Sequence, residues 1–384
     1  MSLVYNEEQR MLVDTAREFL ASRSPVSAQR ELRDNSSELG FDPELWSEML
    51  ELGWGAIPFP ESLGGLEFGY KGMGAVFEEV GRHLSPSPML SSIVLSGTIL
   101  QLAGSAAQQA EWLTALLSGE KRLALAVEEG ARHAPSSIGI KAEASGDGYR
   151  TSGFRLSGDK VMVFDGLEAD GWIVAARTSG ERDDAKGISL FLLTPDMDGI
   201  SVKKQSLIDS RNVARLSLDN VEIPVANLIG DANNGYAVLE KALDLGRLCL
   251  SAEMMGAAES LFAMTIEYLK TRVQFDVPIG SFQALQHRCA HLFSELELVK
   301  SAVLKAQMAL DAGDAEAAQW VSLAKAKACE VAELATNEAV QMHGGMGMTD
   351  EFDIGLFMKR ARSVQALFGD YRYHANRFAA LRGY

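Results

Sequence analysis

Arg272-Val273-Gln274-Phe275-Asp276-Val277-Pro278-Ile279 interrupts two long helical patterns, Tyr236 to Arg272 before it and Gln283 to Asp311 after it. Ala, Leu, Glu and Lys dominate both flanks, and a third run of the same texture, Ala315 to Met342, follows. Helices this long bury their faces by packing along one another, so residues 226–384 read as a four-helix-bundle-like domain. Alanine-rich faces such as those of the third run can pack inside the bundle or against another subunit.

Upstream the texture changes twice. Between residues 121 and 225, short alternating runs (Leu123 to Val127, Trp172 to Ala176, Ile188 to Leu193) are separated by turn signals at Ser145 to Gly148, Ser157-Gly158-Asp159 and Asp196 to Gly199. Many close strands without intervening helices predict an antiparallel β domain, a sandwich or barrel. Residues 1–120 carry apolar spacings of three and four, with stripes at Met11, Leu12, Phe19 and Leu20 and at Leu45, Trp46, Met49, Leu50 and Leu52. Breaks at Ser24-Pro25, Pro58 to Pro60, Gly64-Gly65 and Ser85 to Pro88 cut this segment into short helices. The fold class is α+β multidomain, in the order N-terminal α-helical domain, middle antiparallel β domain and C-terminal bundle.

Composition narrows the function. With 36 basic and 52 acidic side chains in 384 residues, the net charge of −16 argues against nucleic-acid and anionic-membrane partners. No export signal or membrane span is read from the sequence. The three cysteines are dispersed and lack Cys or His neighbours at ligand spacing, so no metal site and a reduced, cytoplasmic chain are expected.

A second motif, Gln341-Met342-His343-Gly344-Gly345-Met346-Gly347, closes the third long run. Each motif has a local reading: Arg272 to Ile279 as an inter-helix turn with Phe275 plugging a core gap, and the glycines as a helix stop. Taken together with the domain order and length, they resemble the acyl-CoA dehydrogenase family over essentially the whole chain. A dinucleotide needs cations for its pyrophosphate, aromatic or amide surface for its rings, and glycines where backbone comes close. The resemblance implies FAD as cofactor and assigns its ADP half to Arg272, Phe275, Gln283, Gln341, Gly344 and Gly345, reaching across a subunit interface. It also implies an acyl-CoA substrate, with Arg247 on the CoA arm, a tetramer, and an electron-transfer flavoprotein as acceptor.

The family's α,β-dehydrogenation needs a carboxylate base. Its members place that glutamate either before an arginine in the first long C-terminal helix or before a glycine near the chain end; here those positions are Gly246 and Phe368. Asp244 stands two residues from the first, which rotates it by about 200° on a helix. Asp370 reads as a capping residue and Glu253 as an ion-pair partner, so the catalytic base is left unassigned. The β domain departs too: the family's Thr-Glu-Pro-like and Trp-Ile-Thr-like flavin contacts read Val127-Glu128-Glu129-Gly130 and Met162-Val163-Phe164-Asp165.

These departures point to a subunit of the hetero-oligomeric type, acting in fatty acid or steroid side-chain catabolism and giving ADP-side contacts to a catalytic partner. Three alternatives stand beside it: a homotetramer with substituted contacts, a flavin oxidase or monooxygenase of the same fold, and a non-catalytic structural subunit. The 15 methionines, clustered at Met254-Met255, Met342, Met346 and Met348, suit either an adaptable pocket or core filling.

Overall fold

The computed structural model describes residues 5–146 and 151–384. In chain order, helices α1 (Glu7–Arg23), α2 (Val26–Asp34), α3 (Pro43–Glu51), α4 (Gly69–His83), α5 (Thr98–Ala103), α6 (Ala106–Gln108) and α7 (Thr114–Ser118) come first. Strands β1 (Leu123–Ala126), β2 (Ala142–Gly146), β3 (Thr151–Phe164), β4 (Gly171–Arg177), β5 (Ile188–Leu193), β6 (Ile200–Lys204), β7 (Val213–Pro224) and β8 (Leu228–Ile229) follow. The remainder is α8 (Gly235–Thr271), β9 (Val273–Gln274), β10 (Val277–Pro278), α9 (Gln283–Asp311), α10 (Ala317–His343), α11 (Ile354–Ala366) and α12 (Tyr371–Leu381). The helical, antiparallel-sheet, helical order is the one expected.

The chain divides into two compact units, each built from separated segments. One holds the chain up to Asp34, Phe68–Ser85 and Arg247–Tyr384, and the other holds Asn35–Glu67 and Pro86–Gly246.

In the first unit α4 and α8 touch backbone to backbone. A Cβ on Gly81 would lie 1.9 Å from the Glu253 carbonyl oxygen, and one on Gly256 would lie 1.8 Å from that of Glu78. Only glycine permits this approach, and it brings Glu78, Glu79 and Arg82 of α4 beside Glu259 of α8 and Lys300 of α9. On α1 the buried stripe is Gln9, Val13, Ala16 and Leu20. Met11, expected in that stripe, is 65% exposed, because two residues of helix carry it about 200° from Val13. Met254, Met255 and Met342 are buried core residues.

The second unit contains two four-stranded sheets, ordered β1-β4-β5-β8 and β2-β3-β7-β6. Phe154, Leu156, Val163, Trp172, Phe191, Leu193 and Leu216 share one core. All strand pairs are antiparallel except β1 with β4, which a long excursion through the other sheet allows to run parallel. The turn expected at Ser157-Gly158-Asp159 does not form. β3 runs through it, and a register shift between Leu156 and Gly158 absorbs the glycine at φ 141° as a bulge. Of the turn expected at Ser145 to Gly148, Asp147 and Gly148 lie outside the described residues.

Candidate functional site

At the C-terminal end of α8 the first motif is a tight hairpin. Val277 pairs with Gln274 and Pro278 with Val273, leaving Phe275 and Asp276 as a two-residue loop at φ 52° and 61°. A loop with both φ values positive normally takes Asn and Gly, so two branched-at-Cγ residues here are held against local preference. Phe275 is 85% exposed, with only the edge of Phe282 beside it at 6.1 Å. It therefore fills no core gap in its own chain. The hairpin is closed at its base, where the Arg272 N–H donates to the Tyr268 carbonyl and the Ile279 N–H to the Arg272 carbonyl, both at 2.8 Å. The Arg272 side chain is exposed, and among the described residues no carboxylate pairs with it. Gln283 is the exposed first residue of α9, whose N-terminus carries no side-chain cap.

The second motif ends α10. Gly344 takes φ 58° and ψ −136° as the C-cap, so the helix-stop reading holds for it. Packing in this chain does not require Gly345, because a Cβ added there, as at Gly344, would meet nothing within 4 Å. Gly347 is different, since its Cβ would lie 2.8 Å from the Val340 carbonyl oxygen. Gln341, Gly344 and Gly345 are thus an exposed, bare stretch of backbone beside one amide side chain.

An aromatic stack ties the two motifs together. The Tyr268 ring lies 4.2 Å from that of His343, and Phe352 stands edge-on to both. Burial lowers the His343 pKa and keeps the imidazole neutral, with Nδ1 on the Ala339 carbonyl at 2.8 Å. Leu269, Ile279, Cys289 and Met342 pack beneath them. The six residues assigned by resemblance to the ADP half of FAD therefore gather at one end of the first unit. Sequence reasoning missed Tyr268 and His343; the i, i+4 spacing of Tyr268 and Arg272 was the available signal.

The two positions where a base was sought hold no acid. Arg247, next to Gly246, is wholly buried. Its Nε donates to the Phe368 carbonyl at 3.2 Å, and its guanidinium lies over the Tyr373 ring at 5.6 Å. Phe368 is 8% exposed and takes φ 56°, and its carbonyl also accepts from His374 Nε2 at 3.0 Å. Because a carbonyl can only accept, Nε2 carries the proton. Burial, helped by Lys325 and Arg247, holds the His374 pKa far below the usual histidine range. Lys325, also wholly buried, donates to the carbonyls of Val364 (3.1 Å), Gln365 (3.3 Å) and Gly369 (3.1 Å). Three buried nitrogen side chains thus fix the α11–α12 turn. The nearby carboxylates are committed: Asp370 caps α12 through the Tyr373 N–H at 2.9 Å, and Glu253 pairs with Arg360 at 2.6 and 3.2 Å.

In the second unit, Val127 to Gly130 leads out of β1 and Met162 to Asp165 spans the end of β3. Lys160 is wholly buried and donates to Glu129 and to the Val127 carbonyl, each at 2.9 Å. Burial pulls the Lys160 pKa down to about 8 despite Glu129. Burial also raises the Glu129 pKa, but Lys160 and the N–H groups of Ile140 and Gly139 outweigh it and hold the carboxyl below its usual range. Glu128 meets His133. Phe164 is 8% exposed, and the Asp165 carboxylate accepts from Ser91 Oγ at 2.6 Å. Val127 and the Met162-Val163-Phe164 stretch carry no side-chain hydroxyl or indole where the resemblance places them.

Among the described residues no group of three or more His, Cys, Asp or Glu side chains could hold a metal, and no helix is long and apolar enough to cross a membrane.

Known proteins resemble this chain along almost its full length. The sequence model of the acyl-CoA dehydrogenase N-terminal domain matches residues 6–120 and that of the acyl-CoA dehydrogenase C-terminal domain matches residues 233–380. Mitochondrial isovaleryl-CoA dehydrogenase of Pongo abelii is 32% identical over 93% of this chain and 84% of its own. Among solved structures, the ChsE4-ChsE5 complex from Mycobacterium tuberculosis superposes with TM-score 0.88 at 27% identity, covering 100% of this chain and 99% of that one. A variant of the Tcur3481-Tcur3483 steroid ACAD superposes with TM-score 0.86 at 27% identity, covering 98% of each.

Proposed function

The chain belongs to the acyl-CoA dehydrogenase family of flavoprotein oxidoreductases, and from that premise we propose that it is the FAD-completing subunit of a hetero-oligomeric acyl-CoA dehydrogenase. One contrast carries the reading. The residues suited to the ADP half of FAD are exposed and unused within the chain, whereas the base position is a buried phenylalanine.

The fit to FAD is likewise divided. Arg272 offers pyrophosphate a cation that pairs with no carboxylate among the described residues, Phe275 an exposed ring for adenine, Gln283 and Gln341 amide groups, and Gly344-Gly345 bare backbone whose approach a Cβ would obstruct. Bound FAD would supply the hydride acceptor. On this chain's own β domain, the Val127 to Gly130 and Met162 to Asp165 stretches lack the hydroxyl and indole side chains that would contact a flavin ring, so the ring belongs with a partner chain. Arg247 serves the 368 turn and not the CoA arm, because its guanidinium is buried against Phe368 and Tyr373. The partner supplies the carboxylate that removes the α-proton of the thioester, and an electron-transferring flavoprotein takes the electrons.

The ChsE4-ChsE5 and Tcur3481-Tcur3483 relatives support a hetero-oligomer, and the steroid relative supports a bulky acyl group. The visible spectrum of the protein purified alone tests this. A colourless, inactive chain that gains flavin absorbance and acyl-CoA dehydrogenation on mixing with a second family member is expected. Stoichiometric FAD and turnover by the lone chain overturn it in favour of a homomeric enzyme.

A further inference from the structure

Cys329 stands one helical turn after Lys325 on α10, and its Sγ lies 3.5 Å from Lys325 Nζ. The other two cysteines are different. Burial and Glu253 push the Cys249 thiol far up, and burial and Glu338 raise that of Cys289, whose sulfur faces Met342 Sδ at 3.7 Å. Cys329 also borders an open groove of about 660 Å³, lined further by Glu333, Asn337, Gln365, Tyr371 and Arg372. Cys329 is only 2% exposed but forms part of the groove lining, so a molecule as small as dioxygen has a short path to a sulfur already in contact with an amine.

We propose that Cys329 and Lys325 are an oxidative modification site at which dioxygen joins them through a covalent S–O–N bridge. The balance closes with dioxygen alone. Its O–O bond breaks, and one oxygen atom is inserted between Sγ and Nζ. The other leaves as water with the thiol hydrogen and one amine hydrogen. Sulfur and nitrogen each give up two electrons, and dioxygen takes four. The further proton of the ammonium form goes to solvent. Burial pulls the Lys325 pKa below the usual lysine range, with Arg247 acting in the same sense and Cys329 and Asp370 opposing, which favours the neutral amine this chemistry needs. Two equivalents of a dithiol reverse the step, returning thiol, amine and water.

The bridge has a structural consequence. As an ammonium, with three N–H groups, Lys325 serves three carbonyls, those of Val364, Gln365 and Gly369, and the Cys329 thiol also donates to that of Gln365 at 3.7 Å; the neutral amine is the form that reacts. A bridged nitrogen keeps one N–H, so two acceptors in the turn that carries Phe368 lose their donor. Oxidation at the groove thereby loosens a turn held from inside the bundle, independently of where flavin binds.

Intact-mass and tryptic peptide analysis of the full-length chain, incubated for increasing times in oxygen-saturated buffer beside a deoxygenated control, tests the site. The expected product is a gain of one oxygen less two hydrogens, with tryptic cleavage after Lys325 blocked and both changes undone by dithiol. Cys329→Ser abolishes the gain. A gain of whole oxygen atoms on Cys329 with normal cleavage at Lys325 overturns the proposal, as does an unmodified Cys329 after the longest incubation in oxygen-saturated buffer. Should Cys329→Ser fold poorly, the cleavage pattern of the unsubstituted chain decides alone.

Discussion

The Nε of Arg247 donates to the carbonyl of Phe368 across 3.2 Å, with both residues buried and Phe368 in a left-handed conformation. A cation beside a position where relatives carry a glutamate here supports backbone. Arg247→Met removes that donor, while the His374 Nε2–H stays on the carbonyl. A hydrogen bond from a charged group contributes about 1.5–3 kcal/mol. A loss of that order in denaturant unfolding is expected, with no change in KM for acyl-CoA in the assembled complex beyond what instability causes. An unchanged midpoint with a raised KM would return Arg247 to the CoA arm.

Arg272 gives the opposite result. Its side chain is exposed and unpaired among the described residues, so Arg272→Ala changes stability by no more than about 0.5 kcal/mol. Loss of a charge-assisted bond to pyrophosphate costs about 1.5–3 kcal/mol, a tenfold to hundredfold weaker grip on FAD. Flavin fluorescence released on dilution of the mixed complex measures it. Retention of FAD by the variant complex at the original affinity sinks the assignment.

The two adjacent glycines separate cofactor approach from backbone strain. Gly345 has neither a positive φ nor a neighbour within 4 Å of a Cβ, so Gly345→Ala leaves the isolated chain as stable or raises it by about 0.4–1 kcal/mol. Gly344→Ala forces alanine to φ 58° and destabilises by about 1–2 kcal/mol. Both substitutions weaken FAD binding in the complex. Thermal melts of the chain alone, set against FAD titration of the complex, resolve the two effects; equal melts for both variants contradict the assignment.

The sequence carried the helical and strand periodicities because burial imposes them, and α9 begins and ends at Gln283 and Asp311 as read. The break between α8 and α9 was visible through Pro278 and the lengths of its flanking helices, but its hairpin pairing and the exposure of Phe275 were not. Three further features were not visible, each because a distant partner sets it. Met11 fits an apolar stripe by type and faces solvent by phase. Ser157-Gly158-Asp159 has turn composition but is held straight as strand by its pairing with β7. Lys325 lies in an alanine-rich run where a lysine normally marks solvent, and only the turn between α11 and α12, 39 to 44 residues away, accounts for its burial. The absence of a base at Gly246 and Phe368 was legible from residue identity alone. What replaced it, a turn pinned by Arg247, Lys325 and His374, depends on contacts between residues far apart in the chain.

Glu78 sets a pH dependence whose sign follows from its surroundings. Burial, then the neighbouring Glu259 carboxylate, raises its pKa from 4.5 to about 7, with Arg82 opposing. The folded chain therefore holds this proton more tightly than the unfolded chain does. The stability Glu78 contributes is fully present below pH 4.5 and is lost as pH rises through about 7, after which burying the charge costs a constant amount. Glu78→Gln cannot ionise, so its melting temperature relative to the unsubstituted chain climbs between pH 5 and 7 and levels off above. Melts of both chains across that range check this, and a difference that stays flat or falls with pH shows that Arg82 and Arg17 keep Glu78 ionised throughout.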